Sequence, residues 1–216
     1  MASQLIYGKQ PVAEAERGRR QVQRVWRAPE TPTEELERLC GSPDHQGVVA
    51  EVEPYPYAGS AELLRGENAL LIALDQVQDP RNLGAVARSA EAAGADGLVI
   101  PERRAAAVTA VTCKASAGAV EHLPIAHVRN LADWLAEAKQ AGFWIWGADA
   151  EAKQAPWDVD LSGPTVLVLG GEGKGLRPRV ASACDGLIAL PQRGKIDSLN
   201  VSAAAAALLF EAVRQR

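Results

Sequence analysis

From residue 69 onward, runs of uninterrupted apolar residues alternate with stretches in which apolar residues recur every three or four positions. The apolar runs have the length of β-strands, and the recurring spacing is that of an amphipathic helix. Strands that are apolar throughout and separated by helices predict an α/β fold, a parallel sheet with helices on both faces. The predicted strands are 69–75, 97–101, 123–128, 143–148, 165–170 and 186–191, and the predicted helices are 83–94, 106–118, 130–142, 177–185 and 198–214.

The first 58 residues have a different pattern, with helices predicted at 11–18 and 32–40 and strands at 21–28 and 47–52. A sheet-and-helix module of this size lies near the lower limit for independent stability. The sequence therefore predicts a small N-terminal α/β domain at 1–58, a linker at 59–68 and a larger domain at 69–216.

Composition places the chain among globular proteins, because 47% of its 216 residues are hydrophobic and 23% are charged. No apolar run approaches the roughly 18 residues that cross a bilayer, and the start "MASQLIYGKQ" lacks a signal-peptide pattern, so we expect a cytoplasmic protein without a membrane partner. The three cysteines and three histidines lie far apart without metal-ligand spacing, so neither a disulfide framework nor a metal site is predicted.

The charge balance is locally uneven, although the formal net charge is −4 and the pI is near 5.5. Between Lys9 and Arg27 there are six basic residues against two acidic ones. This stretch is either a solvated helix face or a patch that contacts RNA phosphates. The candidate RNA-binding residues are Lys9, Arg17, Arg19 and Arg20.

Three loops of the larger domain follow predicted strands, at the edge where open α/β sheets bind ligands. In the first, "DQVQDPRNLGAVARSA" (75–90), Asp79-Pro80 forces a turn and Asn82 can cap the next helix. Arg88 lies six residues after Asn82, within that helix. It is either a surface charge or a contact to an anion or a ribose.

The second loop, "VLGGEGKGL" (168–176), is rich in glycine but matches no phosphate-binding pattern. A P-loop would need Ser or Thr after Lys174, and a dinucleotide fingerprint would follow the first strand of its fold. Bare backbone can still hold a neutral ligand, so we expect a side chain at Gly170 to fill ligand space. Glu172 is either a helix cap or a ligand contact.

The third loop, "LPQRGKIDSLNVS" (190–202), leads into an alanine-rich helix. Ser198 and Asn200 are good helix caps, and capping alone would explain them. The small residues after Asn200 predict close backbone packing. Further along the helix, apolar residues cover more than one face and predict a partner surface; they are Leu208, Leu209, Phe210 and Val213.

Taken together, "DPRNLGAVAR", "LGGEGKGL" and "LPQRGKIDSLNVSAAAAALLFEA" resemble the three ordered motifs of the SPOUT class of RNA methyltransferases, in particular its SpoU/TrmH family of ribose 2′-O-methyltransferases. The resemblance runs from about residue 69 to 216. "YGKQPVAEA" and "HQGVVAEV" also resemble the small RNA-binding domain of the members that methylate a guanosine ribose in large-subunit ribosomal RNA. The stretch between "VWRAP" and "HQGVV" is shorter than in that domain.

The resemblance implies a C-terminal trefoil knot, a homodimer with the last helix at its interface, and S-adenosylmethionine as cofactor without a metal. It also implies RNA as the partner, probed first as large-subunit rRNA. Cofactor contacts would come from Gly170, Leu190 and Leu199, with Leu169, Gly171, Ile188 and Val201 nearby. Arg88 would be central to catalysis, with Asn82, Glu172, Ser198 and Asn200 positioning the ribose and Arg88.

Other functions remain open at this point. The chain resembles tRNA-modifying members as well as rRNA-modifying ones, and a non-catalytic RNA-binding protein could keep the same fold. A nucleotide-binding metabolic enzyme is disfavoured by the failed phosphate patterns. The role of Arg88 is also open, because arginine is almost always protonated. It would either lose its proton in a dry site or hold a phosphate and stabilise a developing alkoxide.

Overall fold

The computed structural model describes residues 3–171, 175–195 and 198–216, which form two compact units. Unit 1 contains the residues up to Pro56 together with Pro80–Arg88 and Ala107–His122. Unit 2 contains Tyr57–Asp79, Ser89–Ala106 and the chain from Leu123 onward. The first half of the helix in the "DPRN" stretch therefore clusters with the N-terminal residues.

The regular elements follow one another along the described chain as strands and helices of ordinary length. They are β1 (Gln4–Tyr7), α1 (Lys9–Arg17), β2 (Val22–Arg27), α2 (Thr33–Cys40), β3 (Val48–Val52), β4 (Leu70–Asp75), α3 (Pro80–Ala92), β5 (Gly97–Pro101), α4 (Ala110–Ala115), β6 (Ile125–Val128), α5 (Leu131–Gln140), β7 (Trp144–Ala148), β8 (Thr165–Gly170), α6 (Pro178–Ala183), β9 (Gly186–Ile188) and α7 (Val201–Gln215).

Unit 1 is built on a three-stranded antiparallel sheet in the order β1–β3–β2. Its core includes Tyr7, Leu36 and Val49, so helix α2 packs on the sheet through Leu36. Helix α2 ends at Gly41, whose φ of 67° is the left-handed conformation that glycine adopts without steric cost. Strand β1 was not predicted, because four residues are too few to show an alternating pattern.

Unit 2 contains a six-stranded parallel sheet in the order β6–β5–β4–β8–β7–β9. This confirms the predicted α/β fold with a parallel sheet. Strands β4 and β8 lie in the middle, which explains why both are apolar along almost their whole length. Helices α5 and α6 share one apolar cluster with the sheet, and α7 packs against β8.

Several predicted boundaries were wrong at the loops that matter for the site. Helix α3 begins at Pro80, since proline is well suited to the first turn, so Asn82 lies inside the helix and does not cap it. Strand β9 ends at Ile188 and not at Pro191. Helix α4 covers only Ala110–Ala115, and a 3-10 turn follows at Ala119–Glu121.

Helix α7 begins at Val201 and not at Ser198, because Asn200 caps it. The Asn200 side-chain oxygen accepts a hydrogen bond from the Ser202 amide at 2.8 Å. The capping explanation of Asn200 therefore holds, whatever further role the residue has.

Within the described ranges, none of the helices is both long enough and apolar enough to cross a bilayer. The trefoil knot stays a prediction. Residues 172–174 and 196–197, in the two loops that would form it, lie outside the described residues.

Candidate functional site

A cavity of about 530 Å³ opens at the carboxyl-terminal edge of the sheet in unit 2. Its walls come from the residues that follow β7, β8 and β9 and from the first turns of α7. This is the edge at which the sequence predicted ligand binding, and the volume lies in the range of small-molecule sites. We call it the first cavity.

All seven residues predicted to contact a cofactor line the first cavity. Ser198, one of the predicted catalytic residues, lines it as well. The seven are Leu169, Gly170, Gly171, Ile188, Leu190, Leu199 and Val201. The fold thus brings together residues that are separated by up to 32 positions in the sequence, the difference between 169 and 201.

Gly170 and Gly171 are required by contacts within the protein. A Cβ atom on Gly170 would lie 2.1 Å from the carbonyl carbon of Gly175, and one on Gly171 would lie 2.6 Å from the Gln76 carbonyl oxygen. A β-bridge between Gly171 and Gly175 closes the loop. The expectation that a side chain at Gly170 fills ligand space is therefore corrected, because it would first collide with backbone of the same loop.

A buried carboxylate holds the chain on the far side of this loop. Asp75, at the end of β4, is 1% exposed. Its Oδ2 accepts from the Arg177 amide at 2.9 Å, and its Oδ1 accepts from the Arg177 Nε at 2.7 Å. These charge-assisted bonds fix the residues after Gly175 against the strand that pairs with β8. Sequence reasoning missed this pair because its members are 102 residues apart.

Two carboxylates also line the first cavity and were not predicted. Asp149 and Glu151 follow β7, and the Asp149 Oδ1 accepts a hydrogen bond from the Glu151 amide at 2.9 Å. Their position after a parallel strand was the available signal, as for the other three loops. Apolar walls with two carboxylates suit a ligand that carries an apolar ring and positive charge.

A second cavity, of about 460 Å³, adjoins the first and shares Ala150, Leu190 and Gln192 with it. The charged side chains in its described lining are Lys153 and Lys195. Its base is held by backbone pairing, since the Ala189 amide donates to the Gln154 carbonyl oxygen at 2.9 Å. The second cavity therefore offers positive charge beside the first.

Asn82 and Arg88 lie in the part of α3 that belongs to unit 1, whereas the first cavity belongs to unit 2. Asn82 is half-buried and Arg88 is exposed. In the described part of the chain, no hydrogen bond or ion pair involves the Arg88 guanidinium. Glu172, the remaining predicted catalytic residue, lies outside the described residues.

The predicted RNA-binding cations differ in their surroundings. Lys9, Arg17 and Arg19 are exposed, and Arg19 donates to the Tyr55 hydroxyl at 3.1 Å. Arg20 is only 4% exposed and forms an ion pair with Glu121. The prediction that Arg20 belongs to a surface patch is therefore corrected, because its charge is already neutralised inside unit 1.

A metal site has no support in the described ranges, where no group of three or more His, Cys, Asp or Glu side chains is placed to hold a metal ion. The free cysteines are Cys40, Cys113 and Cys184. Burial raises the pKa of Cys113 to about 11 and that of Cys184 to about 12, so both are thiols at neutral pH.

Two family models match the chain. Residues 69–210 match the SpoU rRNA methylase family, and residues 28–58 match the RNA 2′-O ribose methyltransferase substrate-binding family. A Bacillus subtilis relative, YacO, named as a TrmH family tRNA/rRNA methyltransferase, is 39% identical over 98% of this chain and 95% of its own length. Several longer relatives, named as tRNA/rRNA methyltransferases, are matched over only 61–63% of their length.

Solved structures of similar proteins cover nearly the whole chain. The rRNA methyltransferase of Sinorhizobium meliloti, bound to AdoMet, has a TM-score of 0.87 at 26% identity, covering 98% of this chain and 87% of its own. The SpoU methyltransferase AviRb of Streptomyces viridochromogenes, in complex with the cofactor AdoMet, has a TM-score of 0.82 at 28% identity, covering 99% and 90%.

Proposed function

Because the chain belongs to the SpoU rRNA methylase family, we propose that it transfers the methyl group of S-adenosylmethionine to a ribose 2′-hydroxyl of RNA, at a guanosine of large-subunit ribosomal RNA. The observation that carries this proposal is the first cavity, in which residues from the second and third motifs meet. The proposed cofactor is the one named for two similar structures.

The residues of the first cavity fit this cofactor. Leu169, Ile188 and Leu190 provide apolar surface for an adenine ring. The carboxylates of Asp149 and Glu151 complement the positive charges of the sulfonium and amino groups. When bound, S-adenosylmethionine supplies an electrophilic methyl group on sulfur, and the protein must then bring a ribose hydroxyl to it.

A ribose hydroxyl is a weak nucleophile, so it must be oriented and its proton must leave. We assign the orientation to Ser198, which lines the first cavity, together with Asn82, Glu172 and Asn200. Arg88 presents five N–H donors that no described residue occupies. These donors suit a phosphate or a developing alkoxide, and we therefore favour electrostatic stabilisation over proton acceptance by Arg88.

The second cavity supports a polyanionic acceptor. Lys153 and Lys195 place positive charge next to the first cavity, where an RNA strand that presents its ribose would also bring phosphates. Reversing both charges should weaken RNA binding and flatten its salt dependence by about 0.7 in log–log slope per lost phosphate contact on a single strand. The control Arg179→Gln removes an exposed cation that pairs with Asp133, and it should leave both quantities unchanged.

Ribosomal RNA is favoured over transfer RNA by the match of residues 28–58 and by the near-complete coverage of an rRNA methyltransferase structure. The name of the Bacillus subtilis relative includes both substrates, so tRNA is the second candidate. A protein that only binds RNA is the third.

One reaction separates these three candidates. The purified protein is incubated with isotope-labelled S-adenosylmethionine and either large-subunit rRNA or total tRNA, and the RNA is then digested to nucleosides for mass spectrometry. We expect the label on the ribose of guanosine from rRNA. Label on tRNA alone would support the second candidate, label on a base would contradict ribose transfer, and bound but unlabelled RNA would indicate a binding protein.

A further inference from the structure

Unit 1 contains a fully buried ion pair between Arg20 and Glu121. The Arg20 Nε donates to the Glu121 Oε2 at 2.9 Å, and the Arg20 Nη2 donates to Glu121 Oε1. Arg20 also donates from Nη2 to the Cys113 Sγ at 3.2 Å and from Nη1 to the Gln4 Oε1 at 2.9 Å. The guanidinium therefore joins the N-terminal sheet to residues that follow β5.

A buried charge is costly unless its partner and hydrogen bonds are complete. Here they are, and although burial lowers the pKa of Arg20, its hydrogen bonds to Glu121 and Cys113 and the charges nearby raise it above the ordinary value. Cys113, with its raised pKa, is a neutral thiol that accepts from Arg20. The cluster is therefore a fixed set of hydrogen bonds and not a reactive thiolate.

Further contacts hold the same segment, Ala107–His122, against the N-terminal residues. The Tyr55 hydroxyl donates to the Val120 carbonyl oxygen at 3.0 Å, and the Gln4 side-chain amide donates to the Val108 carbonyl oxygen at 3.1 Å. His122 and Glu14 lie 2.9 Å apart. The segment is thus held at its start, middle and end.

The held segment in turn packs directly on helix α3. A Cβ atom on Gly84 would lie 2.7 Å from the Thr112 carbonyl oxygen and 2.6 Å from the Ala115 Cβ, so α3 and α4 touch without an intervening side chain. Such contact leaves no slack between the two helices. Arg88 follows Gly84 by four residues, one helical turn.

We propose that Arg20 is a positioning residue for methyl transfer: it fixes α4 through Glu121 and Cys113, and α4 fixes the part of α3 that carries Asn82 and Arg88. This inference rests on the proposed role of Arg88. It makes the N-terminal residues part of the catalytic machinery and not only an RNA-binding attachment. It also explains why Arg20 is buried in a stretch whose other cations are exposed.

The test compares Arg20→Met and Gly84→Ala with wild type in single-turnover methylation at saturating RNA and S-adenosylmethionine. The rate constant is measured per folded molecule, well below the melting temperature. We expect a fall of about tenfold or more in both variants, as small misplacements of reacting groups are costly. Cofactor affinity should stay within about twofold, because the first cavity lies in unit 2. Arg38→Gln, an exposed cation on α2, is the matched control and should keep the wild-type rate.

Gly84→Ala leaves the ion pair intact and moves only α3, so it decides the question if Arg20→Met fails to fold. A rate within about twofold of wild type in either folded variant would overturn the proposal, since a role in stability alone changes melting and not the rate of folded enzyme. Parallel loss of cofactor affinity would overturn it too, because it would indicate general damage.

A second readout does not depend on methylation, so it separates this inference from the proposed function. Hydrogen exchange of the 80–88 amides reports how tightly α3 is held. Arg20→Met should speed exchange there, although no described hydrogen bond joins Arg20 to these residues. Unchanged exchange at 80–88 in folded Arg20→Met would contradict the coupling even if the wild-type protein methylates no RNA.

Discussion

Arg88 is the residue on which the proposed chemistry depends most. Replacing it with alanine should leave S-adenosylmethionine binding near normal and lower single-turnover methylation by about 100-fold or more, the scale of losing a donor to a developing oxyanion. Calorimetry measures the first quantity and rapid-quench kinetics the second. Near-wild-type turnover in a folded Arg88→Ala variant would remove Arg88 from the mechanism.

Arg88→Lys refines the same point, because lysine keeps a cation but loses the planar fork. Under the electrostatic role, the lysine variant should retain more activity than the alanine variant, with a pH profile like that of wild type. An activity that instead rises through the pKa range of lysine would indicate that residue 88 accepts the proton.

Asp75 should matter for cofactor binding although it does not line the first cavity. Asp75→Ala removes both hydrogen bonds that hold Arg177, and the residues after Gly175 would then be free to move. We expect S-adenosylmethionine affinity to weaken by about tenfold, or about 1.4 kcal/mol. Calorimetry checks this, with Asp160→Ala as a control on an exposed turn. An unchanged affinity would show that Arg177 is held without Asp75.

At this scale, motif spacing predicted the seven residues of the first cavity, because each follows a strand that is visible as an apolar run. It did not predict that Asp75 binds Arg177 or that Arg20 is buried with Glu121. Those partners are 102 and 101 residues apart, and only the folded chain brings them together. A cation in a basic stretch is indistinguishable in sequence from one that pairs in the interior.

At the scale of elements, α1 carries the exposed cations that are left for RNA once Arg20 is excluded. Reversing Lys9 and Arg17 to glutamate should weaken RNA binding and flatten its salt dependence, because fewer counterions are released from the RNA. Cofactor affinity should not change. Arg17 makes only an exposed pair with Glu14, so folding should be little affected. Equal RNA affinity at physiological salt would identify the stretch as a solvated helix face.

The elements themselves were largely predictable where burial dictates pattern. Strand β4 and strand β8 are central and apolar, and both were predicted within a residue of their observed bounds. Short elements and loop-proximal ends were not, since β1 has four residues and α4 has six. In those places tertiary contacts, such as Gly84 against Thr112, decide the structure more than local preference does.

For the whole molecule, we propose a homodimer that buries one face of α7. Leu208 and Leu209 pack inside unit 2, whereas Phe210 is 51% and Val213 is 40% exposed. Phe210→Asp should shift the sedimentation coefficient to that of a monomer at micromolar concentration, with little loss of folding. Trp144→Asp, at an exposed aromatic residue on β7, is the control and should leave the dimer intact. A wild-type monomer, or a dimeric Phe210→Asp variant, would count against this interface.

The central claim concerns what the protein does to RNA, and nucleoside mapping in cells tests it most directly. Ribosomal RNA from cells with and without this gene is digested and analysed by mass spectrometry. The proposed function predicts that one 2′-O-methylguanosine of the large-subunit rRNA disappears without the gene and returns with the wild-type protein but not with Arg88→Ala. An unchanged set of ribose methylations, or full restoration by Arg88→Ala, would contradict it.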